Sequence, residues 1–180
     1  VADADPDTTD GTVVVPDAYD GRWSPDGTRI VLTVNETDVA KPQVAIANAD
    51  GTGLHVLTTV ADQESARADW SPDGGRIVFD RYNTAGTAER IVIMNSDGSN
   101  VHAITPFVVD SYDYSPVWSP DGRTIAFTAS VPGDSDIELI DPDGTNRRPF
   151  AASAGSEDYA AWSPDSTRIA YTVGSDVYVK

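Results

Sequence analysis

Acidic and tyrosine side chains, with one arginine among them, gather at four places in the chain, each a few residues before a tryptophan. Carboxylates that meet at one point repel one another unless a cation or a basic side chain offsets their charge. Calcium, which prefers oxygen ligands, and a basic protein partner are the occupants that this chemistry favours. The candidate binding residues are Tyr19, Asp20, Glu64, Arg67, Tyr112, Asp113, Tyr114, Glu157, Asp158 and Tyr159.

Three of these carboxylates, from Asp20, Asp113 and Asp158, are the candidate calcium ligands, and the same acidic mouth is a candidate glycan site. Arg67 stands close enough to Glu64 in the sequence to neutralise it, which weakens the metal interpretation at that place. Tyrosine rings beside the acids add contact area of the kind that protein partners use. The remaining alternative is that these side chains point outward into water.

Other chemistry finds little support in the sequence. There is no Gly-x-Ser-x-Gly, phosphate-cradling Gly-x-x-x-x-Gly-Lys or His-Glu-x-x-His motif, so no catalytic residue is predicted. The chain has no Cys and a net charge of −17, which exclude thiolate chemistry and disfavour nucleic acid as a partner. No apolar run approaches the ~18 residues that span a bilayer. The chain begins with Val, so we expect an extracellular or periplasmic protein whose signal segment is not in this chain.

A repeated turn supplies the framework for the candidate residues. Trp-Ser-Pro-Asp-Gly begins at Trp23, Trp70 and Trp118, and a fourth copy at Trp162 ends in Ser. Pro, Asp and Gly in this order favour a tight turn, and each copy continues into a β-branched, aromatic run typical of a strand. We predict that the four tryptophans are structural and fill the seams between neighbouring repeats, rather than forming a sugar-stacking platform.

Each repeat contains four short strand patterns, A to D, in a period of 44 to 48 residues that is typical of a propeller blade. The prediction is all-β, a single domain over 1–180, folded as a four-bladed β-propeller of four-stranded antiparallel blades. The blades cover about 17–59, 65–106, 112–151 and 157–180.

The last blade lacks a strand D, and the N-terminal segment 5–16 is predicted to supply it. Val14 aligns with Leu57, Ile104 and Phe150, so 12–15 would pair with 177–179 and close a monomeric ring without a free sheet edge. Two alternatives stay open. The chain is part of a larger ring, or its N-terminal strand inserts into a neighbouring molecule and builds an oligomer or polymer.

The turn, the following Arg-Ile strand and the Asn-Ala-Asp-Gly or Asn-Ser-Asp-Gly before the last strand resemble the TolB-type propeller repeat, from about Asp5 to Lys180. The resemblance implies a relative of six- or seven-bladed propellers in periplasmic or secreted proteins. Those relatives serve as protein-docking platforms or as gating domains of prolyl-oligopeptidase-like enzymes. This sequence departs from them in having four repeats and no attached domain.

The predicted function is a non-catalytic protein-interaction scaffold. It would present its D–A and B–C loops to a partner, because these loops share one face and vary while the A–B and C–D turns are short and uniform. The first alternative is a calcium- or glycan-binding module at the axial mouth, although no cofactor is certain. The second is a structural subunit that polymerises by N-terminal strand exchange.

Overall fold

The computed structural model describes residues 14–35, 41–59, 63–153 and 155–180. Within these ranges the chain forms strands and turns without a helix, so none of the described residues belongs to a helix that could cross a membrane. The strands are β1 (Ala18–Trp23), β2 (Arg29–Val34), β3 (Gln43–Asn48), β4 (His55–Val56), β5 (Ser65–Trp70), β6 (Arg76–Tyr82), β7 (Glu89–Asn95), β8 (His102–Ala103), β9 (Tyr112–Trp118), β10 (Ile125–Val131), β11 (Asp134–Ile140), β12 (Arg148–Ala151), β13 (Glu157–Trp162), β14 (Ile169–Val173) and β15 (Asp176–Val179).

The strands pair with their sequence neighbours in successive antiparallel meanders, which we call blades. Blade 1 comprises β1–β4, blade 2 β5–β8, blade 3 β9–β12 and blade 4 β13–β15. A single parallel bridge between Glu89 and Tyr112 joins blades 2 and 3 at one end. The prediction of an all-β, propeller-like fold is confirmed by this arrangement.

The tryptophan turn is held by its own side chains. In the first copy the Ser24 hydroxyl donates to Asp26 Oδ1 at 2.6 Å and accepts the amide of Arg29 at 2.9 Å. Hydrogen bonds from the Ser24 hydroxyl and from the amide and hydroxyl of Thr28 lower the pKa of Asp26 to about 2. The same serine–aspartate bond recurs in each later copy, at Asp73, Asp121 and Asp165.

The hydrophobic core lies between blades rather than within them. Trp70 of blade 2 packs with Val31 and Val44 of blade 1, and Trp118 of blade 3 packs with Val78 and Ile91 of blade 2. Alternate residues of each central strand face opposite blades because side chains alternate along a strand. Each blade therefore contributes one apolar face to each of two seams.

The predicted closure of the ring is not seen among the described strands. Among the described strands β15 pairs with β14 alone, and Val14 and Val15 precede β1 without forming a strand. Val15 instead packs against the blade 1 cluster that contains Leu32. Residues 5–13 of the predicted strand 5–16 lie outside the described residues. A ring of four blades stays a prediction.

Candidate functional site

The four innermost strands surround an axial cavity of about 290 Å³. Strand β1 lies beside β5, β5 beside β9, and β9 beside β13, with no comparable packing of β13 back onto β1. The cavity wall carries both charges and an aromatic ring. Its charged and aromatic lining residues are Asp20, Arg22, Arg67, Asp69 and Tyr159.

Every innermost strand has an irregularity at the same place, three residues before its tryptophan. The pairing register shifts there in each blade. The residue at that place has a left-handed backbone although none is glycine, with φ of 55° at Asp20, 48° at Arg67, 52° at Ser115 and 57° at Tyr159. Such residues cost about 1–3 kcal/mol each and concentrate where a protein binds or reacts. The bulges turn four different side chains toward one cavity.

Arg67 links the cavity to two buried carboxylates. Its Nε donates to Asp80 Oδ2 at 2.6 Å, and its terminal nitrogen donates to Glu89 Oε1. The backbone amide of Ser115 donates to the same Asp80 oxygen at 2.9 Å. Burial, and then the charge of Asp80, raise the pKa of Glu89 to about 9, and burial also raises the pKa of Asp80. The pair of carboxyls therefore shares one proton at neutral pH, next to the Arg67 guanidinium.

Tyr114 and Asp158 form a second contact across neighbouring blades. The Tyr114 hydroxyl donates to Asp158 Oδ1 at 2.7 Å, and the guanidinium of Arg67 lies 5.3 Å from the centre of the Tyr114 ring. Burial, together with the hydrogen bond to Asp158, raises the pKa of Tyr114 well above its usual range. The phenol stays protonated and the carboxylate is oriented by it.

Other candidate residues have partners away from the axis. Asp113 is 2% exposed and accepts two hydrogen bonds from the Arg147 guanidinium, at 2.9 and 3.0 Å. Glu157 is buried and accepts the amide of Ser153 at 3.1 Å and its hydroxyl.

Glu64, another candidate, accepts a hydrogen bond from Lys41 Nζ at 2.8 Å, and this ion pair joins two loops. Tyr112 packs against Tyr82, with ring centres 6.3 Å apart. Tyr19 is partly exposed and lines a second, separate cavity between β1 and the segment before it. The structure thus places Asp20, Arg67 and Tyr159 on the axial cavity, with Tyr114 and Asp158 joined to Arg67. It places the remaining five candidates elsewhere.

The candidate calcium ligands do not meet. Over the described ranges no three His, Asp or Glu side chains stand close enough together to hold a metal ion. Asp113 is bonded to Arg147, and Asp158 to Tyr114. Calcium binding at Asp20, Asp113 and Asp158 stays a prediction that an unchanged thermal midpoint on adding chelator would contradict.

Sequence reasoning missed Asp80, Glu89 and Arg147. Asp80 and Glu89 lie inside strands, on the same strand faces as the buried Val78 and Ile91. A charged residue at a buried position of an apolar strand pattern was the signal that could have identified them. No comparable signal marks Arg147, whose side chain reaches from the turn before β12 across to β9.

Three comparisons place this fold among known proteins. The family model for the TolB beta propeller domain matches residues 15–174. A protein TolB homolog from Chlorobium luteolum is 41% identical over 56 residues, which are 31% of this chain and 13% of that protein.

Two solved TolB structures resemble the model. The one from Agrobacterium tumefaciens superposes with a TM-score of 0.77 at 22% identity, over 90% of this chain and 60% of that chain. The one from Acinetobacter baumannii gives 0.71 at 19% identity, over 90% and 40%. The chain thus spans less than two thirds of each of these relatives. Because the family model covers most of the chain and the blades follow the same fold, the protein belongs to the TolB β-propeller family.

Proposed function

We propose that the protein is a non-catalytic interaction scaffold that docks a protein partner on the face of its D–A and B–C loops. The observation that carries the proposal is the axial cavity, where four non-glycine residues in left-handed conformation present an acid, a guanidinium, a hydroxyl and a phenol. Backbone strain repeated in every blade at one cavity fits a preformed binding surface. Membership of the TolB family supports a protein as the occupant.

The loops around the cavity offer apolar contact area to such a partner. Val108 and Val109 stand exposed in the D–A loop between blades 2 and 3, and Val131 stands exposed at the B–C turn of blade 3. In a meander both kinds of loop leave the same edge, so these three side chains share one face of the molecule. Exposed apolar residues around polar groups are the usual composition of a protein-binding surface.

Charge favours a basic segment on the partner. The chain carries −17, and Asp20 brings a carboxylate to the cavity. Of the two arginines on the cavity wall, Arg67 is already engaged by Asp80 and Glu89, and the charge of Arg22 acts on Asp69. We propose an exported location, periplasmic or extracellular, because the TolB-type relatives work there. Calcium or glycan binding remains a prediction from sequence, and the described residues supply no observation that favours it.

The test is capture of a partner by immobilised protein, followed by measurement of the affinity of the purified pair. Asp20→Asn with Tyr159→Ala removes the charge and the ring from the cavity, and Val109→Asp places a charge in the exposed loop. Each should weaken the partner at least tenfold, because contacts at the centre of an interface carry most of its energy.

The matched control is Val101→Asp, the same substitution at an exposed valine on the opposite face, beside the C–D turn of blade 2. It should leave the affinity unchanged. Equal affinity in all variants would show that the partner binds elsewhere and would reject the loop face as the docking surface.

A further inference from the structure

Two arginines stand directly opposite each other on neighbouring strands of blade 2. In the register between β6 and β7, Arg81 is the partner of Arg90, at the end of the two strands that leads into the turn 83–88. Like charges at directly opposite positions of an antiparallel strand pair repel each other and destabilise the pairing. Two arginines at this place therefore call for a compensating negative charge.

The other three blades have no like-charged pair at this place. Each has an apolar residue on its second strand and a polar or acidic residue opposite it on the third strand. The pairs are Val34 with Gln43, Ala129 with Asp136 and Val173 with Asp176. The repeat thus folds without an arginine at either position, so the fold itself does not explain Arg81 and Arg90.

Burial adds to the cost of the two positive charges. Arg81 is 6% exposed, and Arg90 is partly buried, with an Nε that is fully covered and has no hydrogen-bond partner among the described residues. Burial, and then the charge of Arg90, lower the pKa of Arg81 to about 10, and burial also lowers the pKa of Arg90. Both guanidiniums are therefore charged at neutral pH in surroundings that disfavour a positive charge.

The nearest acids of blade 2 lie on the other face of its sheet. Side chains alternate along a strand, so Asp80 and Glu89 point away from the arginine that follows each of them. Both carboxyls are bound by Arg67 on that other face. Over the described ranges, neither Arg81 nor Arg90 forms an ion pair with a carboxylate. The repulsion between the two arginines is therefore not offset by these acids.

Each guanidinium of the pair lies over an aromatic ring. The guanidinium carbon of Arg81 is 5.1 Å from the centre of the Phe79 ring, and that of Arg90 is 4.0 Å from the centre of the Phe107 ring. Arg81 Nε also donates to Ser65 Oγ at 3.0 Å. A ring occupies the flat face of a guanidinium and leaves the N–H groups at its edge free to donate.

These edge groups are open to a ligand. The terminal nitrogens of Arg81 and Arg90 donate to no acceptor among the described residues, and none of them is fully covered. They stand where β6 ends and β7 begins, which is the end of blade 2 that carries its B–C turn. Phe107, over which Arg90 lies, is followed in the D–A loop by the exposed Val108. The arginine pair thus belongs to the loop face.

We propose that Arg81 and Arg90 form a binding site for an oxyanion, a carboxylate or a phosphate group, on the loop face of blade 2. Two guanidiniums offer several N–H donors to one ligand, and this is the arrangement that carboxylate and phosphate oxygens favour. The bound oxyanion supplies the negative charge that the strand pair needs. The site is separate from the axial cavity, which neither arginine lines, and it does not depend on the proposed docking of a protein.

Inorganic phosphate is the probe for this site. Replacing chloride by phosphate at equal ionic strength should raise the Tm of the natural chain by about 3 °C or more, because a ligand that binds only the folded chain stabilises it. In the same titration the side-chain Nε–H signals of Arg81 and Arg90 should move in proton–nitrogen NMR spectra.

A double variant removes the site and keeps the fold. Arg81→Val with Arg90→Gln installs the residues that blade 1 has at these positions. The variant should lose the response to phosphate, and in chloride it should melt no lower than the natural chain, because the repulsion between the strands is gone. The matched control is Arg123→Gln, which removes a charge from an exposed arginine in the tryptophan turn of blade 3 and should keep the full response.

Three results would overturn the proposal. The first is a natural chain whose Tm and arginine signals do not respond to phosphate. The second is a response that the double variant retains, since phosphate would then act elsewhere on the chain. The third is a Tm that the single variant Arg90→Gln lowers equally in chloride and in phosphate, which would show that an acid of this chain already fills the site.

The captured partner identifies the source of the oxyanion. If the partner supplies a carboxylate, phosphate should compete with it and Arg90→Gln should weaken it about tenfold. If the oxyanion is a free ion, Arg90→Gln should leave the partner's affinity unchanged and still remove the response to phosphate. The cavity variant Asp20→Asn with Tyr159→Ala should keep that response, so a failure of the docking proposal and a failure of the oxyanion site are distinguishable.

Discussion

At the scale of single residues, the buried pair Asp80 and Glu89 makes folding depend on protons. One oxygen of each carboxyl accepts a hydrogen bond from Arg67, and the second oxygen of each has no hydrogen-bond partner among the described residues. A carboxyl buried beside another carboxyl keeps its proton because two buried negative charges cannot both be offset by one guanidinium.

The Glu89 pKa of about 9 lies above the ordinary value of 4.5, so the folded chain retains a proton that the unfolded chain releases. Stability from this group is therefore fully present below pH 4.5 and falls as the pH rises toward 9, by about 1.4 kcal/mol per pH unit for one proton. Glu89→Gln should remove that slope. Urea unfolding at pH 6, 7 and 8 should show the variant gaining about 3 kcal/mol relative to the natural chain.

Glu64→Gln is the control for this titration, because Glu64 is partly exposed and pairs with Lys41 in the loops. Its stability should follow the natural chain at all three pH values. Parallel curves for Glu89→Gln and the natural chain would show that Glu89 is charged when folded.

Arg147 provides the second residue-scale prediction, since its guanidinium donates two hydrogen bonds to the buried Asp113 side chain in blade 3. Arg147→Leu leaves that carboxylate without a counter-charge and should cost about 3 kcal/mol, or about 10 °C in Tm. The adjacent Arg148→Leu should change stability by less than about 0.5 kcal/mol, because Arg148 meets Asp141 only at 3.7 Å on the surface.

A double variant tests the cause. Arg147→Leu with Asp113→Leu replaces both charges by apolar groups and should recover most of the lost stability, because an apolar pair needs no desolvation of charge. If the double variant melts as low as Arg147→Leu, packing of the arginine stem over Phe127, rather than the ion pair, holds blade 3.

At the scale of elements, the position of the segment before β1 depends on Gly51. Gly51 and Gly86 both have positive φ, at 81° and 68°, but a β-carbon at Gly51 would collide with the Val14 backbone while one at Gly86 would meet nothing within 4 Å. Alanine at either place should cost about 1–2 kcal/mol for the left-handed backbone.

Gly51→Ala should in addition displace the segment, so that the amide of Asn35, which donates to the Asp17 carbonyl at 3.2 Å, exchanges at least tenfold faster than in Gly86→Ala. Amide hydrogen exchange with peptide resolution measures both. Equal exchange in the two variants would mean that Val14 does not rest on Gly51 in solution.

Elements fixed by local chemistry are the ones that the sequence predicts well. The turn after Trp23 needs only Ser24, Asp26 and the glycine beside them. Four copies of this turn in the sequence therefore predict four meanders. The predicted seam role holds for Trp70 and Trp118, but it is wrong for Trp23, which is 60% exposed. Both predictions depend on neighbours within a few residues.

The candidate site depends on contacts that no local pattern records. The Arg67 bonds to Asp80 and Glu89 join three strands, and the left-handed bulge has no glycine to mark it. Spacing before the tryptophan grouped Asp20, Arg67 and Tyr159, and these three residues line the axial cavity. It could not tell that Asp113, in the same stretch of its blade, turns away to meet Arg147.

At the scale of the whole molecule, the chain is a row of blades in which each blade is stabilised by its neighbours. Blades 2 and 3 have a described seam on both faces, while blades 1 and 4 have one on a single face. Stability in such a row is close to a sum of blades and seams, so the ends open first. Most of the largest fully buried side chains, including Phe79 and Phe127, lie in the two middle blades, whereas blade 1 contributes Gln43 and blade 4 contributes Ile169.

Amide exchange should therefore follow position in the row. In dilute solution β6 and β10 should exchange slowest, and β1 and β15 at least a hundredfold faster. Slow exchange of β15 in the dilute chain, equal to that of β10, would require its edge to be paired within one molecule, and the row would then be a ring already closed.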